Sequence, residues 1–179
     1  DLIKAYLKDQ EFQAPYSVFY QDGRAATKRL RTLMSADSFD FPKDEFVLQE
    51  LVALIANKED TVLDFFAGSG TTAHAVMAQN AEDGGNRKYI CVQIPEPTPE
   101  NSEAKKAGYK TIAEISKERI GRAGEKVKAD NPLFAGDIGF KVFKLDESNF
   151  KQWDKEVADT ETLKQQIMEF ADNVSTDAS

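Results

Sequence analysis

The sequence predicts an α/β protein, a βαβαβ half of a doubly wound parallel sheet preceded by helices. Three stretches predict it. The first is "TVLDFFAGSGTTAHAVM", residues 61 to 77, an apolar strand that ends in a glycine turn and enters a helix. The second is the nearly continuous apolar run Lys88 to Ile94, a composition typical of parallel strands covered on both faces. The third is a long helical pattern, Thr111 to Ala129, leading to the alternating stretch Gly139 to Leu145. Strand and helix in that order wind a parallel sheet, and ligands of such sheets sit at the carboxyl ends of the strands.

Each element follows from its own pattern. Leu2, Ile3, Tyr6 and Leu7 fall at helical spacing, and Ser17 to Tyr20 is expected as a short strand closed by Asp22-Gly23. A helix is expected from Arg24 to Met34 with Leu30, Leu33 and Met34 inward. Arg24, Lys28 and Arg31, spaced by four and three, then share the other face. Ser35 to Lys43 is a loop, and Glu45 to Asn57 is a helix built on the stripe Val47, Leu48, Leu51, Val52 and Ile55. Strand Thr61 to Phe66, the glycine turn and helix Thr71 to Asn80 come next, followed by the turn Asp83-Gly84-Gly85-Asn86. Strand Lys88 to Ile94 stops at Pro95-Glu96-Pro97, because proline cannot donate to a ladder. The long helix ends at Asp130-Asn131-Pro132, and Gly139 to Leu145 loses phase as an edge strand does. Beyond Trp153 the chain turns acidic, with Leu163, Ile167 and Phe170 on one side of a last helix.

Composition narrows the classes. A chain of 179 residues, 41% hydrophobic and 30% charged, suits one globular domain with a core. No apolar run approaches the ~20 residues of a membrane helix. The N-terminus lacks a signal-peptide pattern, so a cytoplasmic protein is expected. The single cysteine, Cys91, excludes an internal disulfide and is expected as a small core residue. The single histidine, His74, has no second imidazole or thiol with which to share a metal, so no metal site is expected. A net charge of -8 argues against coating nucleic acid through overall charge, and leaves Arg24, Lys28 and Arg31 as the densest local basic cluster.

Three ligands compete for the glycine turn. A Walker A loop needs Gly-Lys-Ser/Thr, whereas Gly70 is followed by Thr71-Thr72. Gly68-x-Gly70-x-x-Ala73 fits the dinucleotide fingerprint, with Glu96 placed to take a ribose hydroxyl. Asp64 separates that reading from the third. Its carboxylate closes the strand where a pyrophosphate would sit, and like charges repel in a partly dry site. S-adenosylmethionine has no phosphate and carries an ammonium and a sulfonium, so there Asp64 attracts. Gly68 and Gly70 would let that ligand lie against backbone, and Phe66 would supply an apolar wall.

At these residues a family resemblance becomes specific. Asp64-x-Phe66-x-Gly68-Ser69-Gly70-Thr71-Thr72 resembles the cofactor motif of amino-methylating DNA methyltransferases. Phe41-Pro42-Lys43 with the following helix resembles the segment these enzymes place ahead of that motif. "YICVQIPEPT" (89 to 98), "AGYKTIAEISKERIGRAGEK" (107 to 126) and "GFKVFKLDESNFKQWD" (139 to 154) resemble the modification subunits of type III restriction-modification systems. Asp44 departs from the pattern, since many relatives carry a second proline there.

The resemblance implies a Rossmann-like methyltransferase fold, present in part, with S-adenosylmethionine as cofactor. The implied reaction is methyl transfer to the N6 amino group of adenine in double-stranded DNA. Carried over by position, Asp64, Phe66, Gly68, Gly70, Thr71 and Thr72 form the cofactor turn, Glu96 takes the ribose and Lys43 lies near the methionine end. It further implies three regions. Residues 1–40 end a target-recognition or linker region, 41–153 are the cofactor-binding half, and 154–179 form an acidic helix and tail.

Family members hold the flipped base with an Asp/Asn-Pro-Pro-aromatic loop, and this chain contains no Pro-Pro pair. It is therefore expected as the C-terminal part of a larger enzyme, inactive alone and carrying no catalytic residue. The remainder of that enzyme, DNA, a second copy and a restriction subunit are the candidate partners. Arg24, Lys28 and Arg31 are candidates for the DNA backbone. A nicotinamide-linked oxidoreductase domain and a non-catalytic assembly module remain as alternatives.

Overall fold

Helices begin where a carboxylate or hydroxyl caps them. Asp22 accepts from the Arg24 N–H at 3.0 Å and opens α1 (Gly23–Met34). Asp44 accepts from the Phe46 N–H at 2.9 Å and opens α2 (Glu45–Ile55). Each cap satisfies a donor that the first helical turn leaves unpaired. Asp44, the departure from the family pattern, thus has a structural use. Helix α1 turns Ala26, Leu30 and Met34 inward and keeps Arg24, Lys28 and Arg31 exposed, the division that the spacing predicts. The computed structural model describes residues 18–19, 21–146 and 159–169. The expected helix through Leu7 lies outside the described residues, as does most of the expected strand Ser17 to Tyr20.

β1 (Thr61–Asp64) and β2 (Lys88–Cys91) pair in parallel, from Thr61 opposite Lys88 to Asp64 opposite Cys91. The glycine turn and α3 (Thr71–Asp83) connect them. Next come a short helix α4 (Glu103–Lys106), capped by Ser102, and α5 (Ile112–Asp130), capped by Thr111. Helix α4 was not expected. Helix α3 sits at the centre and is buried on nearly every side. Its Ala73 and Met77 pack on Ile120, Ala123 and Val127 of α5, with Tyr89 and Cys91 of β2 against the same cluster. Cys91 is half-buried, and burial pushes its thiol up to about 11. A second cluster of Leu30, Met34, Ala104 and Ile115 joins α1, α4 and α5.

Two expectations are corrected. A sheet covered on both faces was expected, yet Val62 and Tyr89 are half-buried while Leu63 and Ile90 remain 48% and 52% exposed. Among the described residues, helices cover one face only. A third strand was expected at Gly139 to Leu145, yet the sheet has two strands among the described residues and residues 139–146 join no ladder. Alternation marks which side chains would share a face, but a strand also needs a neighbour for its backbone groups. Among the described residues none is paired with this stretch, and Phe143 and Leu145 are exposed. The observed core is thus mixed α/β around a two-stranded parallel sheet, and the strands are shorter than the expected Thr61–Phe66 and Lys88–Ile94. β1 has one ladder neighbour among the described residues. The boundary between two compact units falls between Gly139 and Phe140. In the second unit α6 (Thr160–Glu169) opens beneath Asp159, which accepts from the Thr162 N–H at 2.8 Å. Leu163 and Ile167 belong to α6, and Phe170 lies outside the described residues.

Arg87 ties three elements together just ahead of β2. Its buried guanidinium donates to both Asp83 oxygens at 2.9 and 3.0 Å and to the Ala56 carbonyl at 3.1 Å. Arg87 holds the Asp83 carboxyl at about 2, below its ordinary 3.8. A carboxyl depressed in the folded state adds stability that is complete above the unfolded value and is lost as pH falls through the folded one. Unfolding free energy should therefore decline between about pH 4 and about pH 2, and Arg87→Met should flatten that decline. Equal acid slopes for the two proteins in denaturant titrations would refute the role given to the pair.

Candidate functional site

The glycine turn begins where β1 ends, and Asp64 folds back over it. One carboxylate oxygen accepts from the Phe66 N–H at 3.0 Å, the other from the Thr72 hydroxyl at 2.5 Å. No cation answers the charge: Asp64 forms no ion pair among the described residues.

Gly68 and Gly70 take φ values of 53° and 78°, which side chains rarely adopt. They do so for different reasons. A Cβ at Gly70 would lie 3.1 Å from Ile120 Cγ1 and 3.2 Å from the Ser116 carbonyl oxygen. That glycine is buried and seats the turn on α5. A Cβ at Gly68 would meet the Phe39 ring at 3.5 Å and the Phe66 carbonyl oxygen at 3.8 Å, both ordinary contacts. Of the two, Gly68 is the half-buried one and has the more room beside its backbone.

Three residues that the sequence reading missed hold this turn. Gln93 Oε1 accepts from the Gly68 N–H at 2.7 Å while its Nε2 donates to the Ile94 carbonyl at 3.0 Å. The Ala67 N–H donates to the Val92 carbonyl at 3.1 Å, so the ends of β1 and β2 are stitched together. The Ser116 hydroxyl donates to the Gly68 carbonyl. Arg119 Nη1 donates to Ser69 Oγ and Thr71 Oγ1, both at 2.6 Å. Arg119 is 1% exposed, and desolvation pulls its guanidinium down to about 10, which leaves it charged at neutral pH. A signal for it exists in the sequence: Arg119 stands on the stripe Ile115, Ala123 and Val127, four residues from each inward neighbour.

The carboxyl ends of both strands therefore share one surface. Phe66 is 87% exposed there, and Glu96 is exposed with no side-chain partner among the described residues. The segment containing Lys43 approaches through Phe39, whose ring faces Gly68. Phe41, in that segment, is 90% exposed at φ 52°, a backbone state that costs a non-glycine residue about 1–3 kcal/mol. Lys43 is exposed. Of the expected cofactor residues, the structure groups Asp64, Phe66, Gly68 and Thr72 at the turn. It turns Gly70 and the Thr71 side chain inward, against α5.

The basic stripe on α1 is exposed as expected, but two of its members are already engaged. Arg24 pairs with Asp22 at 3.3 Å and Arg31 with Asp37 at 2.6 Å, while Lys28 forms no ion pair among the described residues. An open cavity of about 840 Å³ lies among α1, α2, α3 and α5 and includes His74. Burial pushes His74 down to about 4, so it is neutral at pH 7. On the cavity's rim Glu82 accepts from the Gln49 amide at 2.6 Å and Asp130 pairs with Lys126 at 2.5 Å, while Lys28 lines the cavity without an ion pair among the described residues. Among the described residues no group of three His, Cys, Asp or Glu is placed to hold a metal, and no helix is long and apolar enough to cross a membrane.

Comparison with known proteins agrees with the resemblance carried by the turn and the later motifs. The Mod subunit of the type III restriction-modification enzyme StyLTI of Salmonella typhimurium is 50% identical over 118 residues, covering 66% of this chain and 18% of the relative. The EcoP15I Mod subunit of Escherichia coli is 40% identical over 145 residues, or 80% and 21% of the two chains. The type II methyltransferase M.KpnI of Klebsiella pneumoniae is 36% identical over 104 residues, or 58% and 24%. The chain thus spans about a fifth of the length of these relatives. Residues 8–118 match the profile of the N6 and N4 methyltransferases, described as DNA methylase. With more than half of its length inside that profile, the chain belongs to the DNA methylase family.

Proposed function

We propose that this chain is the S-adenosylmethionine-binding part of a site-specific DNA methyltransferase of a restriction-modification system, one that methylates the N6 amino group of adenine. The observation that carries the cofactor reading is Asp64. Its carboxylate sits at the turn with no ion pair among the described residues, beside the half-buried Gly68 and an exposed Phe66. A ligand bearing an ammonium and a sulfonium answers that charge, whereas a pyrophosphate opposes it. Phe66 would flank the bound group, Glu96 would accept from its ribose hydroxyls, and the segment ending at Lys43 would close over its methionine end. The cofactor supplies an electrophilic methyl group. What this chain contributes is a rigid, anionic cradle that orients it. Gly70 and Thr71 serve that cradle from inside, as its support on α5.

DNA and a restriction subunit are partners under the same proposal. Arg24, Lys28 and Arg31 would meet DNA phosphates as an exposed stripe, and the pairing of Arg24 and Arg31 with carboxylates would make their share of the salt dependence smaller than three full charges.

Thermal unfolding with S-adenosylhomocysteine and with NAD tests the cofactor. A ligand that binds only the folded state at a hundredfold excess over its dissociation constant adds about 2.7 kcal/mol. S-adenosylhomocysteine should raise the melting temperature and NAD should leave it unchanged. A rise with NAD alone would reassign the turn to a dinucleotide, and no rise with either would leave an assembly module.

A further inference from the structure

The segment 39–45 is linked to the glycine turn at both of its ends, directly at Phe39 and through Arg119 at Glu45. At one end the Phe39 ring lies 3.5 Å from the position a Cβ would take on Gly68. At the other, Glu45 faces Arg119 Nη2 at 3.8 Å, and Arg119 Nη1 holds Ser69 and Thr71. Between these anchors stand Phe41, exposed and left-handed, and the exposed Lys43. A strained, solvent-facing aromatic keeps its conformation only when its surroundings fix it.

The charges behind Glu45 form a closed set. Arg29 Nε donates to Glu45 Oε1 at 2.5 Å, and Arg29 Nη2 lies 2.8 Å from Asp44 Oδ2. Two guanidiniums thus face two carboxylates, with Arg119 and Glu45 both buried. Removing one charge from such a set leaves an uncompensated buried partner, which costs more than the lost contact alone. Glu45 shares no hydrogen bond with the turn; the connection runs through Arg119.

We propose that Arg119 is a positioning residue that couples the 39–45 segment to the glycine turn, so that Glu45 governs the order of a turn it does not touch. The two surfaces that would enclose the cofactor then move as one unit. In its consequence for the ligand this rests on the cofactor reading above, whereas the mechanical coupling stands without it.

Amide hydrogen exchange across residues 68–73, measured on the full chain without ligand, tests the coupling. Glu45→Gln keeps the shape of the side chain and removes its charge. Val52→Ala, in the buried face of the same helix, serves as the control of ordinary destabilisation. At conditions that match the two variants in global stability, Glu45→Gln should speed exchange in the turn roughly tenfold relative to Val52→Ala. Arg119→Lys keeps one charged donor in place of a fork and should give an intermediate increase. Exchange in the turn that is no faster in Glu45→Gln than in the control would overturn the proposal. A second arm measures S-adenosylhomocysteine affinity by calorimetry, which should fall severalfold in Glu45→Gln and less in Val52→Ala; equal losses would also overturn it. If the wild-type chain bound no S-adenosylhomocysteine, the cofactor reading would fail and the exchange arm would still decide the coupling.

Discussion

Gly70→Val should lower the melting temperature of the chain by roughly 10 °C, whereas Gly68→Val should lower it by about a third as much. Both glycines have positive φ, and placing a side chain in that region costs roughly 1–2 kcal/mol at either position. Only Gly70 adds a steric penalty. Its Cβ would press on Ile120 Cγ1 at 3.1 Å and on the Ser116 carbonyl oxygen at 3.2 Å, and a carbonyl on a buried helix has little room to yield. Overpacking of that kind costs about 1–3 kcal/mol more. The ligand should respond in the opposite order among folded molecules. Gly68→Val puts its methyl groups beside the Phe39 ring at the strand ends, where the ligand is proposed to lie, and should abolish detectable S-adenosylhomocysteine binding while the protein remains folded. Differential scanning calorimetry and ligand titration on the same samples separate the two. Equal thermal losses would mean that the seat of the turn on α5 is looser than the geometry shows.

The contrast between these glycines marks what the sequence makes legible. Helices α1, α2, α3 and α5 follow from apolar spacing and from caps at Asp22, Asp44 and Thr111, all local properties of a dozen residues. The strand-turn-helix unit is equally local. What supports the turn is not. Gln93 meets Gly68 across 25 positions, and Arg119 reaches Ser69 across 50, pairings that no periodicity encodes. Arg119 is informative because an arginine in a helix is ordinarily assigned to solvent. Its place on the stripe from Ile115 to Val127 argues against that assignment, and its burial follows from the two hydroxyls and the carboxylate that wait for it. The third strand fails for the converse reason. Alternation from Gly139 to Val142 is a local property, while a ladder partner is a long-range one.

Asp64→Asn should weaken S-adenosylmethionine binding by about 2 kcal/mol, roughly thirtyfold, with little change in the melting temperature. The small thermal effect follows from the hydrogen bonds. An asparagine oxygen still accepts from the Phe66 N–H, and the Thr72 hydroxyl, which now donates to the carboxylate, rotates to accept from the new amide. The turn keeps its shape and loses its charge. Thr72→Val provides the reverse case, removing the hydroxyl while leaving the carboxylate, and should cost less in affinity than the charge does. A dinucleotide gives the opposite sign for Asp64→Asn, since removing a carboxylate beside a pyrophosphate relieves repulsion. Titration of wild type and both variants with S-adenosylmethionine and with NAD therefore reads the identity of the ligand from the direction of the change. An S-adenosylmethionine dissociation constant unchanged in Asp64→Asn, together with tighter NAD binding, would place a nucleotide cofactor in this turn.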